Sequence, residues 1–316
     1  YLAEHFDDVD SIWGLTLAYR DNGVRSWQTL VQNLHRGVRG LPANGRALVR
    51  LAERFSPEAV VSDFESFAYA FGKVHRLPVI SVDNIQMIAR CRHAPEVTAG
   101  VETDYHLARQ IVRAKLVAAS HYLITTFFYP EVSAPRTTLV PSILRPEILA
   151  ASPARGDHLL VYQTAEGNSA LPEALAAAGV PSRVYGYRRD LAAPERDGSI
   201  TYLPFDEARF VDDLARARAV VTGGGFTLLS EAVSLGKPIL SIPLGGQFEQ
   251  VMNARYVEKL GFGTVAARAT PETLAEFVRS ADRYAEAVAA YHQDGNTLAL
   301  AALDRLLAGI GRRVAT

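Results

Sequence analysis

Three consecutive glycines, a carboxylate six residues beyond the last of them and an acid–amide pair are the residues most suited to chemistry in this sequence. They lie in "VVTGGGFTLLSEAVSLGKPILSIPLGGQFEQ", Val220–Gln250. The run "RAVVT" reads as a buried strand and "FTLLSEAVSLG" as a helix, closed by Gly236 with Pro238 just beyond. Gly223, Gly224 and Gly225 therefore join the carboxyl end of a strand to the amino end of a helix. A helix start carries unpaired N–H groups and about half a positive charge, and glycines let an anion approach that backbone. Phosphate is the natural guest. The competing reading is a tight turn, for which one glycine would suffice. No Lys-Ser/Thr follows the glycines, so a Walker loop is excluded, and Leu228 stands where a dinucleotide loop needs its third glycine.

Glu231 is the second group. Leu228, Leu229, Ala232 and Val233 form the apolar face of the helix, which places Ser230, Glu231 and Ser234 off that face. Thr227 lies one turn before Glu231 and shares its side. A carboxylate beside an anion site is repelled unless it has its own partner, and the two hydroxyls of a ribose would supply one. The alternative is a solvated helix-surface glutamate. Glu249 and Gln250 follow the next strand, at the same sheet edge, where a carboxylate and an amide can hold several hydroxyls of one sugar. The alternative for them is a polar helix start.

The elements that must position these groups are strand–helix repeats. "PEAVVSD", "LPVISVDN", "HYLITTFF" and "TTLVPS" read as strands of one series, with a helix at "FESFAYAFGKVH". Continuous Val/Ile runs suit a parallel sheet covered on both faces. The pattern lapses over Pro141–His158, which holds three prolines and reads as a linker. A second series follows: "HLLVY", "SRVYGY" and "ITYLPF" as strands, "SALPEALAAAG" and "DEARFVDDLARA" as helices. The expected fold is α/β, two doubly wound Rossmann-like domains facing across a cleft. The expected division is an amino-terminal domain over 1–145, a linker over 146–157, a carboxyl-terminal domain over 158–295 and a final helix over 296–316. That last helix would present Leu298, Ala301, Ala302 and Leu306 on one side, a face able to pack back on the amino-terminal domain.

The chain has 316 residues, which suits two domains of about 150 residues each. A net charge of -1 gives no field to attract nucleic acid, and none is expected as a partner. The single cysteine, Cys91, fits a reducing compartment, and a cytoplasmic location is expected. No run of ~18 apolar residues could span a membrane. The opening "YLAEHFDDVDSIWGL" has no methionine and reads like the middle of a domain, so the first strand and helix are expected to precede Tyr1.

At the glycine stretch the chain resembles the GT-B glycosyltransferases: the UDP-glycosyltransferase superfamily and the N-acetylglucosaminyltransferase of peptidoglycan synthesis. The shared pattern is Gly224, Gly225, Thr227 or Ser230, Glu231-Ala232, Gly236, Pro238, Pro243 and Glu249-Gln250. "GLTLAYRDNG" and "VISVDNI" resemble a prokaryotic branch of that superfamily. The resemblance implies that backbone N–H groups of Gly223, Gly224, Gly225, Phe226 and Thr227 hold a diphosphate, that Glu231 binds the ribose, and that Glu249 and Gln250 bind the donor sugar. It places Phe205 and Asp206 where the family's base-binding loop lies and turns Gln163 and Thr164 toward the phosphates. Many relatives have a histidine just before the glycines; here Thr222 or Gly223 stands there.

The implied activity is inverting transfer of a sugar from a nucleoside-diphosphate donor, UDP-sugar first, to an acceptor hydroxyl. The donor is a co-substrate, and no cofactor or metal is expected. The family's base lies in a segment that would precede Tyr1. Asp63, at the end of "AVVSD", resembles the aspartate that partners that base; the alternative is an N-cap for a helix starting at Phe64. Asp83 and His93 are weaker candidates. The acceptor is expected to be a small molecule or a lipid. "SWQTLVQNLHRGVRGL" has an apolar stripe flanked by His35, Arg36 and Arg39, which would suit peripheral contact with the inner membrane face; a core helix is the alternative. Two rival functions are a nucleotide-sugar 2-epimerase and a non-catalytic sugar-nucleotide-binding partner of another transferase.

Overall fold

The computed structural model describes residues 6, 9, 19–20, 23–24, 49–50, 53–115, 119–163, 170–188 and 190–314. The basic, apolar-striped helix expected over 26–41 and the phosphate-facing Thr164 lie outside these residues.

The first sheet has β1 (Val60–Ser62), β2 (Val79–Asp83), β3 (His121–Thr126) and β4 (Thr137–Pro141), side by side in that order and all parallel. Its inner strands are the apolar runs of the sequence: Val79, Ile80, Leu123 and Ile124 are all buried. Helix α1 (Ser66–Val74) connects β1 to β2, and α2 (Glu102–Lys115) lies between β2 and β3. The start of α1 corrects one sequence alternative. Asp63 is not its cap; Glu65 is, accepting from the N–H groups of Phe67 and Ala68. Phe64 takes φ +50°, a turn that an L-residue resists, and so leaves Asp63 at the strand end.

A connector follows β4. It contains α3 (Pro146–Ala150), whose first position is proline and whose N-cap residue is Arg145. The second sheet comprises β5 (Leu159–Tyr162), β6 (Ser182–Tyr185), β7 (Glu195–Asp197), β8 (Ile200–Leu203), β9 (Ala219–Thr222), β10 (Ile239–Ser241) and β11 (Gly263–Val265). Their order is β7-β8-β6-β5-β9-β10-β11. All pairs are parallel except the edge hairpin of β7 with β8. Chain order therefore reverses between β5 and β9, the place where a doubly wound sheet opens a crevice at its carboxyl edge. Helices α4 (Leu171–Ala178), α5 (Glu207–Arg216), α6 (Phe226–Ser234), α7 (Phe248–Lys259) and α8 (Pro271–Val288) cover this sheet. Two of them start on side-chain caps: Asp206 accepts from Arg209 N–H at 2.8 Å, and Thr270 from Thr273 N–H at 3.2 Å.

The two sheets share one apolar core. Phe128, beyond β3, stacks on Tyr256 of α7 with ring centroids 3.9 Å apart, and Phe127 lies parallel to Phe226 of α6 at 5.9 Å. The last helix, α9 (Thr297–Val314), returns to β3 and β4. Its buried face is Ala299 and Ala302 against Leu123 and Val140, whereas Leu298 is exposed. The expected face is thus rotated by about one residue. The helix start explains the shift: Asn296 exchanges two hydrogen bonds with the backbone of Leu144, at 2.8 and 2.9 Å. That anchor sets which small side chains face the sheet. No helix among the described residues is long and apolar enough to cross a membrane.

Candidate functional site

At the reversal point, Gln163 follows β5 and Gly223 follows β9. A cavity of about 690 Å³ opens over them. It gathers residues from four separate parts of the chain: Gln163, Phe205, Gly223, Gly225, Phe226, Thr227, Glu231, Glu249 and Gln250 all line it. Asp206 does not; it serves as the cap of α5. Gly224 lies behind the wall.

The three glycines differ in what makes them glycine. Gly224 has φ +99°, and a Cβ there would sit 2.8 Å from the Gln250 carbonyl oxygen and 3.1 Å from Ser241 Oγ. Its bareness serves the close approach of α7 to the loop, a packing need that the sequence reading assigned to an anion. At Gly223 a Cβ would lie 3.2 Å from Gln250 Oε1. Only Gly225 borders empty space, with no atom within 4 Å of the position a Cβ would take. Gly225 is also the N-cap residue of α6, and it provides no side-chain acceptor. The first turn of α6 has no acidic residue either. Its N–H groups thus face the cavity wall without the usual cap, an arrangement that favours an anion.

Glu231 departs from expectation. It is buried, as is Ser230, although both lie off the apolar face of α6. Its partner is Arg145. Arg145 Nε donates to Glu231 Oε1 at 2.8 Å, Nη2 donates to Oε2 at 3.2 Å, and Nη1 donates to Glu207 Oε1 at 2.6 Å. Arg145 also lines the cavity. Burial pushes the Glu231 pKa up, and the guanidinium pulls against that shift. The sequence reading missed Arg145, which sits in the stretch read as linker. The signal was its place directly before Pro146: an arginine in extended backbone at a helix start, on the connector that enters the second sheet.

Gln250 is engaged from both sides. Its Oε1 accepts from Leu244 N–H at 3.0 Å, and its Nε2 donates to Gln247 Oε1 at 2.6 Å. Gln163 is buried, and its Nε2 has no partner within the protein. A ligand oxygen in the cavity would supply one.

A second chamber, of about 560 Å³, lies against the first and shares Ile143, Phe226, Thr227, Ser230 and Glu249 with it. Its far wall is the carboxyl edge of the first sheet: Asp63 after β1, Asp83 at the end of β2, then Asn84 and Thr125. Asp83 is buried, accepting from Ser81 Oγ–H and, at 2.8 Å, from Gln86 N–H. Burial raises its pKa to about 6 against the opposing effect of those two bonds, and the Asp63 charge adds to the rise. Glu249, facing from the other sheet, is raised to about 7 by burial and then by the charges of Asp83 and Asp63. Asp63 sits at the exposed rim; burial of part of it raises its pKa, and Lys115 opposes. Asn84 donates to Thr125 O at 2.9 Å, while its buried Oδ1 has no partner within the protein. Three acids from both sheets therefore converge on one space. Among the described residues, no three His, Cys, Asp or Glu side chains are grouped to hold a metal ion. His93 lines neither chamber. It bridges the sheets, with Nδ1 2.9 Å from Tyr256 Oη and Nε2 3.1 Å from Met87 O.

The family model described as "Glycosyl transferase family 1" matches residues 1–281. An uncharacterized glycosyltransferase of Methanosarcina acetivorans is 26% identical over 267 residues, which cover 74% of this chain and 67% of that protein. The UDP-N-acetylglucosamine–N-acetylmuramyl-(pentapeptide) pyrophosphoryl-undecaprenol N-acetylglucosamine transferase of Brucella anthropi is 26% identical over 217 residues, 60% of this chain and 58% of that enzyme. Among solved structures, the calicheamicin glycosyltransferase CalG4 superposes with a TM-score of 0.57 at 17% identity, covering 87% of this chain and 79% of that one. LpCGTa in complex with UDP gives 0.57 at 18% identity, covering 86% and 77%. These structural likenesses establish the GT-B fold.

Proposed function

The chain belongs to glycosyl transferase family 1, and on that premise we propose that it transfers a sugar, with inversion, from a nucleoside-diphosphate donor to an acceptor hydroxyl. UDP-sugar is the first donor to try. The observation that carries this reading is the uncapped start of α6 at the strand-order reversal, where Gly225 leaves room for a diphosphate.

Each group then has a task. The diphosphate lies against the N–H groups at Gly225–Leu228. The ribose hydroxyls donate to Glu231, and the base lies along Phe205, whose ring is mostly exposed at the cavity edge. Glu249 and Gln250 take the hydroxyls of the sugar, which brings its anomeric carbon to the boundary of the two chambers. The acceptor enters the second chamber. Asp83 takes the proton of the acceptor hydroxyl as its oxygen bonds to the anomeric carbon, and the bond from that carbon to the diphosphate oxygen breaks. The charge appearing on the leaving diphosphate meets the positive end of α6. This arrangement gives the α6 dipole the task that a divalent ion performs elsewhere. Asp63 stands at the rim beside Asp83, where its charge keeps the Asp83 carboxyl basic.

The test is calorimetric titration with UDP, ADP, GDP and dTDP, followed by product assays against hydroxyl-bearing acceptors with and without a chelator. Tight binding of one diphosphate and transfer that survives the chelator are the expected results. Failure of every nucleoside diphosphate to bind would overturn the donor assignment, and loss of transfer in the chelator would overturn the metal-free part of it.

Rate should also depend on pH in a defined direction. A base must be ionised, so kcat/KM climbs as pH rises through about 6, the pKa of Asp83, toward about 7, that of Glu249. The two groups interact, and the limb belongs to the cluster as a whole. A flat profile across that range would exclude the cluster from catalysis.

A further inference from the structure

We infer that Arg145 is a positioning residue for the nucleotide: its guanidinium holds the Glu231 carboxylate side-on at the wall of the donor cavity, so that the ribose diol meets a prearranged pair of acceptors. The inference rests on the assignment of Glu231 to the ribose.

The geometry is specific. Two guanidinium nitrogens meet the two carboxylate oxygens of Glu231, at 2.8 and 3.2 Å. A planar fork on a carboxylate fixes both the rotation and the tilt of the acid. Each oxygen keeps a second lone pair, enough for one hydroxyl apiece. Arg145 is itself fixed. Its third contact is Glu207 Oε1 at 2.6 Å, and its backbone is extended before Pro146, at φ -68° and ψ 153°. The guanidinium is therefore tied to α5 and α6 while its own backbone belongs to the connector between the sheets.

Charge is the second half. The Glu231 side chain is only 4% exposed. Burial raises its pKa, and the neighbouring Glu207 and Glu147 raise it further; Arg145 is the cation that opposes them. Without Arg145 that rise would lose its opposing cation, and the acid would hold its proton to higher pH. A protonated acid donates one hydrogen bond and cannot accept a diol through both oxygens. Removal of Arg145 should therefore cost ribose recognition in particular, and raising the pH should restore it.

The experiment compares calorimetric affinities for UDP and 2′-deoxy-UDP between about pH 6 and 9, in the wild-type chain, Arg145→Met and Arg145→Lys. Wild type should prefer UDP by roughly tenfold, the size of one hydrogen bond to a charged group. In Arg145→Met that preference should shrink, with 2′-deoxy-UDP affinity nearly unchanged, and should recover as pH rises. Arg145→Lys keeps a cation without the fork; it should retain part of the preference with little pH dependence, and it serves if the methionine variant folds poorly. Equal loss of affinity for both nucleotides would mark Arg145 as merely structural and overturn the inference, as would UDP binding in Arg145→Met that matches or exceeds wild type. A wild-type chain indifferent to the 2′-hydroxyl would overturn the ribose assignment and this inference with it.

Discussion

Asp83→Asn lowers the rate of sugar transfer by about 10²–10⁴-fold and leaves nucleoside-diphosphate affinity unchanged. The carboxyl at the end of β2 is the best placed, among the described residues, for the proposed role of base. It lines the second chamber, faces Glu249 across the cleft, and has its pKa raised to about 6, close to where a base working near neutral pH should lie. Asparagine keeps the shape and can still accept from Gln86 N–H, so the geometry of the floor survives while the proton acceptor is lost. Single-turnover product formation measures the step itself, and calorimetry with UDP measures the donor site separately. A variant that still transfers at the wild-type rate, or loses only UDP affinity, would remove Asp83 from the role. Asp63→Asn should act more mildly. That residue stands at the exposed rim, and neutralising it removes one of the charges that raise Asp83 and Glu249. The acid limb of the rate should then move to lower pH.

The same Asp83→Asn variant should be more stable than wild type above about pH 7. The sign follows from the direction of the shift. Folding raises this pKa from 3.8 to about 6, so the folded chain binds the proton more tightly than the unfolded one. Between those values the unfolded state ionises freely and the folded state resists, and stability falls as pH rises. Above about 6 the loss is complete. Asparagine carries no such penalty, so its advantage grows across that window to about 1–3 kcal/mol and disappears in acid. Thermal melts of both proteins at several pH values would show it. Curves that stay parallel would mean that the buried carboxyl carries no ionisation cost.

The strand–helix repeat was legible because its signals are local. Apolar runs marked the strands, and "FTLLSEAVSLG" marked the helix found at Phe226–Ser234, whereas Asp206, expected in a base-binding loop, caps α5 instead. The glycine loop and Glu249 could be placed at one sheet edge because a doubly wound sheet puts every strand end there. What could not be read was which faces other parts of the chain would cover. Glu231 looked exposed on its own helix, since nothing in "FTLLSEAVS" shows that Arg145, eighty-six residues earlier, packs over it. The last helix was rotated by a residue because its anchor is a side chain bonded to the backbone at Leu144, a partner 152 positions away. Asp63 was read as either base partner or cap, and the structure gives the cap to Glu65, whose reach depends on the unusual backbone at Phe64. Asp83 is the weaker candidate in the sequence because a strand-end acid alone says nothing of burial or of the acid facing it.

Gly225→Val and Gly224→Ala should fail in opposite ways, and the contrast tests the donor site at its centre. At Gly225 the backbone is φ -62° and ψ 132°, a conformation open to any L-residue, and no protein atom lies within 4 Å of the new Cβ. The fold should lose no more than about 1 kcal/mol, the range for a change at a helix cap. The valine would instead occupy the space in front of the α6 N–H groups. If the diphosphate sits there, losing two charged hydrogen bonds should weaken UDP by about a hundredfold or more. Gly224 is the reverse case. An alanine there has φ +99° and presses its methyl to 2.8 Å from the Gln250 carbonyl oxygen, behind the cavity lining. It should destabilise the chain by about 1–3 kcal/mol through the backbone, and further through the displaced start of α7. Thermal unfolding separates the two variants on stability, and calorimetry separates them on affinity. A Gly225→Val chain that melts normally and still binds UDP at full strength would show that the phosphates rest elsewhere, and the assignment of every donor contact along this wall would have to move with them.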